Sequence, residues 1–391
     1  MLNGFGTQLE DRASIDELGR TERIVPRPAP IGAAVVGHGY WGPNLARNLE
    51  ERGEFSLEFL CDRDQTQREK FSHRFPQVRT TPDLSVVLED PSVDAVVIAT
   101  PPQTHFPLAK MALEAGKHVL VEKPLTLSIR EGAELLSLTE KQHRTLMVDH
   151  TFLYSPAIQK LGELVRGGSL GELYSVESVR VNLGLFQRDT NVIWDLAPHD
   201  FSILLSLTDE RPTHISAVGS KTVVHPKQQR AQESVAHIML HYASGFVAHI
   251  HVSWISPVKV RQMTIIGSKQ VAIFDQLAAN QLVTYEQGVY PNEQEGESGP
   301  LFTYKAGEPQ PVAYDKSGED LARMIDDFAG AISSGATPVS NAALALDVVR
   351  LLVAADASVR DGGKQTRIRY GASPSFHLSG AAKALHRLIG A

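Results

Sequence analysis

Ala33-Ala34-Val35-Val36-Gly37-His38-Gly39-Tyr40-Trp41-Gly42 decides the fold: an apolar run drops into three glycines at G-x-G-x-x-G spacing. The stretch predicts a strand, a tight turn and a helix start. Each glycine has its own task if the turn binds a dinucleotide. Gly37 lets the chain leave the strand sharply, Gly39 lets backbone approach a pyrophosphate, and Gly42 lets the helix sit close on the strand. Tyr40 and Trp41, inside the same turn, are candidate nucleotide contacts. Pro43 suits a first helical turn, where a missing N–H costs nothing, and the helix N-terminus offers N–H groups and partial positive charge to phosphates. Further on, Leu57-Glu58-Phe59-Leu60-Cys61 is a second apolar strand, ended by Asp62. An acid there can accept from a ribose diol, which favours NAD over NADP. Arg63 beside it can stack on adenine or hold a 2′-phosphate, so NADP stays possible.

The 391 residues suffice for two domains with separate cores, and 42% hydrophobic with 21% charged residues is ordinary for globular chains. A net charge of −7 and the absence of a basic tract argue against nucleic acid. The expected partner is a small molecule. One cysteine, Cys61, cannot make an internal disulfide, which points to a reducing cytoplasm, with the thiol buried in its strand. No run approaches the ~18 apolar residues of a membrane helix. Residues 1–30, acidic and ending in a proline-rich segment, read as an N-terminal extension without the pattern of a secretory signal.

From 31 to 150, short apolar strands alternate with helical stretches: strands at 93–99, 118–122 and 144–148, helices at 106–116 and 128–141. This predicts an α/β fold, a doubly wound parallel Rossmann sheet, with ligands outside the carboxyl ends of the strands. Residues 151–370 read as an α+β domain. It would hold a helix at 156–165 and strands at 173–182, 216–224, 235–242, 247–254, 260–266 and 270–275. Helices at 320–333 and 344–360 would follow. The strands predict a large, mainly antiparallel open sheet whose uncovered face suits substrate binding and self-association, as a homodimer or homotetramer. Residues 371–391 form a C-terminal tail with a short amphipathic stretch at 379–391.

Several residues can carry chemistry. Glu122-Lys123-Pro124 follows a strand on the cofactor side. Lys123 there can donate to a substrate hydroxyl or act as a base, and Pro124 restricts its backbone. Trp194-Asp195-Leu196-Ala197-Pro198-His199-Asp200 opens a helix. With Asp195 as N-cap, Pro198 falls in the first turn and His199 lies one turn beyond Asp195 on the same side. A histidine can take the proton released when an alcohol is oxidised, and a neighbouring carboxylate can orient it. Arg180 and Asn182, and less strongly Lys259 and Arg261, can grip a phosphate or carboxylate of a substrate. Thr100 and Pro101 end the 93–99 strand, and His105 beyond them can touch the nicotinamide ribose. Neither H-E-x-x-H nor paired cysteines occur, so no metal is expected.

Taken in order, the glycine turn, Ala99-Thr100-Pro101-Pro102 with His105, Glu122-Lys123-Pro124 and the Asp195/His199 pair resemble the Gfo/Idh/MocA oxidoreductases over about residues 31–370. The resemblance implies an NAD(P)-dependent enzyme acting on a sugar or nucleotide sugar, with Lys123 and His199 flanking the reacting carbinol and Asp195 supporting them. It further implies cofactor contacts from Gly37, Gly39, Tyr40, Trp41, Gly42, Asp62, Arg63, Thr100, Pro101, His105, Glu122 and Lys123, and substrate contacts from Lys123, Arg180, Asn182, Asp195 and His199. Residues 180–184 followed by 194–200 look like the branch of nucleotide-sugar 3-dehydrogenases. A ketosugar reductase, a cyclitol dehydrogenase and, from another class, a non-catalytic dinucleotide sensor are the competing readings.

Overall fold

The apolar runs of the first half lie side by side, all parallel: β1 (Ile31–Val36), β2 (Phe55–Cys61), β3 (Arg79–Thr81), β4 (Ala95–Ile98), β5 (His118–Glu122) and β6 (Leu146–Asp149), in the order β3-β2-β1-β4-β5-β6. The structure, a computed structural model, describes residues 29–370 except 185, 188, 189, 222, 224–230 and 292–301. The side chains of 287–291 and 306 are also left out. The expected N-terminal extension, apart from residues 29 and 30, and the C-terminal tail lie outside the described residues. So does the end of the strand expected at 216–224.

Ala33, Ala34 and Val35 of β1 and all four residues of β4 are fully buried, as continuous apolar strands covered on both faces must be. The cover comes from α1 (Gly42–Glu50), α2 (Gln65–Arg74), α3 (Leu84–Glu89), α4 (His105–Glu114) and α5 (Ile129–Gln142). Strand order reverses between β1 and β4, which opens a crevice at their carboxyl ends. The glycine turn and Thr100 lie there.

After α6 (Pro156–Arg166) comes β7 (Leu173–Leu183), then α7 (Val192–Leu207), and the chain builds a second sheet. Its further strands are β8 (His214–Ser220), β9 (Val235–His241), β10 (Val247–Ser253), β11 (Ile255–Gly267), β12 (Gln270–Asp275), β13 (Leu282–Pro291), β14 (Phe302–Ala306), β15 (Gln310–Pro311) and β16 (Thr366–Arg367). The order is β14-β13-β12-β11-β7-β10-β9-β8-β16, with β15 on β13, and only β7 and β10 pair in parallel. One face is packed by α6, α7 and α9 (Ala342–Arg360) through a core that includes Trp254, Phe201 and Ile250. The opposite face carries half-buried Val179, Met239 and Ile266 together with His237 and His251, whose rings stack 4.3 Å apart. Register between β11 and β7 shifts between Ile255 and Val260, so residues 256–259 bulge out of the ladder.

The last helices return to the first sheet. Phe328 of α8 (Asp320–Ser334) stacks on Phe55 at 6.1 Å, and Ser340 exchanges backbone and hydroxyl hydrogen bonds with Val148 at the β6 edge. No helix among the described residues is long and apolar enough to cross a membrane.

Candidate active site

The glycine turn fits a dinucleotide on its own geometry. Gly37 has φ +94°, and a Cβ there would meet the Ala99 carbonyl oxygen at 2.7 Å; a Cβ on Gly42 would meet the Gly37 oxygen at 2.3 Å. Both positions are closed to a side chain by backbone. A Cβ on Gly39, by contrast, meets nothing within 4 Å, which is the open approach a pyrophosphate needs. Gly39→Ala is therefore expected to leave folding stability within about 0.5 kcal/mol of the parent and to weaken NAD binding at least tenfold. Gly42→Ala should cost about 1–3 kcal/mol of stability by overpacking. Unfolding midpoints beside NADH titrations check the contrast, and equal behaviour of the two variants would refute it.

Asp62 ends β2 with its oxygens accepting from the His38 N–H at 2.7 Å and the Asp64 N–H at 2.8 Å. This fixes the carboxylate while each oxygen keeps a lone pair for a diol. Arg63 is exposed. Tyr40, 83% exposed, stacks on Trp41, and the Trp41 indole donates to Asp149 at 2.9 Å, which ties the glycine turn to the end of β6. Burial raises the buried Cys61 thiol to about 11, so it stays protonated.

His105 and Glu122, both expected from sequence to contact the cofactor, have buried polar side-chain atoms. His105 has no exposed surface, and its ring nitrogens each lie 2.8 Å from a backbone carbonyl, of Pro124 and of Thr100. Burial lowers its pKa against the pull of those carbonyls. It ties the Thr100 loop to the Lys123-Pro124 segment, whose peptide bond is cis. Glu122 also turns inward. Burial first, then the Asp149 carboxylate, hold its carboxyl well above the usual range, and its buried Oε1 has no hydrogen-bond partner among the described residues.

Lys123, Asp195 and His199 come together. Lys123 Nζ donates to the Asp195 backbone oxygen at 2.7 Å and to its Oδ1 at 3.2 Å, and Trp254 Nε1 donates to Asp195 Oδ2 at 2.9 Å. The N-cap of α7 is Asn191, not Asp195: its side chain accepts from the N–H groups of Ile193 and Trp194. Asp195 thus stands in the first turn and is free for Lys123, while Pro198 lies inside the helix, where it removes one rung of the ladder. His199 packs edge-on to Phe152, and its Nδ1 has no partner among the described residues. Burial, then Lys123, Arg180, His150 and Arg261, push its pKa well below the ordinary value, which keeps the imidazole uncharged near neutral pH.

Arg180 sits elsewhere than expected. It is buried, with Nε 2.8 Å from Asp200 Oδ2 and Nη2 3.1 Å from Oδ1, and its guanidinium lies over the Phe152 ring at 4.6 Å. The guanidinium is committed to a buried carboxylate. Asn182 remains half-buried and accepts from Arg261. Among the described residues no group of three or more potential ligands is placed to hold a metal.

His150, directly after β6, escaped the sequence reading. It is buried, neither ring nitrogen has a partner among the described residues, and burial with the Lys123 charge brings it down to about 3. A histidine depressed in the folded state gives stability that is full above its unfolded pKa near 6.5 and is lost as pH falls below it. At about pH 5 the loss is about 2 kcal/mol from His150 alone. His118, lowered to about 4 by burial and Arg144, acts in the same direction. His150→Leu should flatten the stability difference between about pH 7 and about pH 5 by that amount in urea titrations. An unchanged slope would remove His150 as its source.

Comparison with known proteins places the chain. Residues 31–150 match the family model of the Gfo/Idh/MocA oxidoreductases with an NAD-binding Rossmann fold, and residues 158–273 match the Gfo/Idh/MocA C-terminal domain. UDP-N-acetylglucosamine 3-dehydrogenase of Acidithiobacillus ferrooxidans is 34% identical over 244 residues, which cover 62% of this chain and 68% of that protein. Its structure aligns with TM-score 0.71 at 25% identity over 86% of this chain and 99% of that one. dTDP-3,4-didehydro-2,6-dideoxy-alpha-D-glucose 3-reductase of Saccharopolyspora spinosa is 28% identical, covering 57% of this chain and 68% of that protein. GenD2 from gentamicin A biosynthesis, solved in complex with NAD, shares the fold with TM-score 0.73 at 24% identity over 89% of this chain and all of that one. The chain belongs to the Gfo/Idh/MocA family, and NAD is the cofactor that its glycine turn and Asp62 are built to hold.

Proposed function

We propose that the chain is an NAD(P)-dependent dehydrogenase or reductase of a sugar or nucleotide sugar, working at a ring carbon that bears a hydroxyl or a ketone. The observation that carries this reading is the meeting of Lys123, Asp195 and His199 beyond the carboxyl end of β5, where such sheets bind their ligands. NAD bound in the crevice supplies the hydride acceptor. The protein supplies the handling of the proton: Lys123 donates to the carbinol oxygen and orients it, and neutral His199 takes the hydroxyl proton in oxidation or returns it in reduction. Asp195 holds Lys123, and through Trp254 it fixes the wall on which Phe186 packs at 5.2 Å. The names of the UDP-sugar and dTDP-sugar relatives support a nucleotide-sugar substrate.

A ketosugar reductase using NADPH is the second reading, favoured by exposed Arg63 beside Asp62 and by the dTDP-sugar relative. Identifying the cofactor that co-purifies, then following nicotinamide absorbance with UDP- and dTDP-sugars, free hexoses and inositols, separates the two. Tight NAD(H) binding without turnover of any of these would instead favour a non-catalytic sensor. The open face of the second sheet, apolar and half-exposed at Val179, Met239 and Ile266, is the surface proposed for self-association.

A further inference from the structure

The charges gathered behind the site do not balance. Lys123 is matched by Asp195 at 3.2 Å and Arg180 by Asp200 at 2.8 Å. Arg261 of β11 stands opposite Arg180 of β7 in the sheet register, and no carboxylate among the described residues forms an ion pair with it. Its partners are neutral. Nη1 donates to the carbonyls of Val181 and Val260, each at 3.0 Å, and Nη2 donates to Asn182 Oδ1. These bonds leave at least two of its five N–H groups without an acceptor among the described residues. The Asn182 amide, whose oxygen is occupied by Arg261, presents its own N–H groups beside them.

Two cations facing each other across a ladder, with one counter-charge between them, cost free energy unless something else pays it. The cost is visible in Arg261, which burial and then Arg180 lower to about 10. The charges of Asp195 and Asp200 oppose that shift, and Arg261 in turn acts on His199, so it lies within electrostatic reach of the proton-transfer group. The adjoining bulge at 256–259 adds Lys259, exposed and likewise outside any ion pair among the described residues.

We infer that Arg261, with the Asn182 amide, is the seat of an oxyanion carried by the substrate, a carboxylate or a phosphate ester close to the reacting carbinol. The substrate class is then an acidic sugar derivative, and Arg261 is the residue that selects it over neutral sugars. A guanidinium suits the task because its planar fork meets both oxyanions with paired N–H groups. The assignment rests on the reading of Lys123 and His199 as the reacting end of the site.

The test is equilibrium binding to the full chain loaded with NADH, read by cofactor fluorescence. The probes are UDP-N-acetylglucosamine, N-acetylglucosamine 1-phosphate, glucuronate and neutral N-acetylglucosamine. At least one anionic probe is expected to bind about tenfold or more tightly than the neutral sugar. Preference for the phosphate probes identifies a phosphate ester, and preference for glucuronate a carboxylate. Arg261→Gln should bring the ratio close to one, and Arg261→Lys should keep part of it. Asn182→Asp, which supplies the missing counter-charge in place, should abolish it without removing Arg261. Equal binding of anionic and neutral probes by the parent, or a preference that survives Arg261→Gln and Asn182→Asp, overturns the inference. Because no readout depends on turnover, a chain that failed to transfer hydride would still answer the question.

Discussion

His199→Ala is expected to lower turnover by about 10²–10⁴, the usual worth of a positioned acid–base group, while NADH still titrates with the parent affinity. The pH profile carries the sharper expectation. In the oxidative direction the competent form of His199 is the neutral one, and its pKa is held well below the ordinary value by burial first and by Lys123 second. The kcat/KM plateau should therefore extend below about pH 6.5 and fall only at more acid pH. Lys123→Met removes the largest charge that depresses His199, so the acid limb should move to higher pH in addition to the loss of rate. An acid limb already near 6.5 in the parent, or one that stays still in Lys123→Met, would take the base role away from His199.

Asp200→Ala should be among the most destabilising single changes in the protein. Asp200 is 1% exposed and accepts from Nε and Nη2 of Arg180 and from the Ser178 hydroxyl at 2.9 Å. Removing one member of such a pair strands the other charge, at a cost of about 3–5 kcal/mol. The double change Arg180→Met with Asp200→Leu strands nothing and should cost far less than the sum of the singles. Urea unfolding of the four proteins closes the cycle. A single-variant loss below about 1 kcal/mol would mean that water reaches the pair.

The first sheet could be read from sequence because its signals are local. Val96, Val97 and Ile98 are apolar without alternation because both faces are covered, and the three glycines mark the turn by themselves. Lys123 stands out in the sequence by its place after a strand, and His199 by its neighbourhood. What stayed hidden depends on distant pairing. Asn191 and Asp195 are both good capping residues, and only the fold chooses between them. Arg180 reads as a free cation until α7 brings Asp200 against β7. His150 follows a strand as Lys123 does but sits in no motif. The first residues of β11 were masked by Pro257, which the bulge accommodates. β13 was missed because Glu286, Gln287 and Gly288 interrupt its apolar run in the middle.

The return of α8 to the first sheet limits what can be done with the molecule as a set of parts. Leu321, Ile325 and Phe328 belong to the same core cluster as Val35 and Leu120, and residues 340–341 lie along the β6 edge through Ser340 and the bridge from Asn341 to Met147. The nucleotide-binding half is completed by chain synthesised nearly two hundred residues later. Residues 31–150 are therefore no transplantable cassette: cut free, they would bare an apolar helix seat and an unpaired strand edge, a combination that invites aggregation. A chimera that exchanges cofactor preference must carry the α8 segment along with the glycine turn.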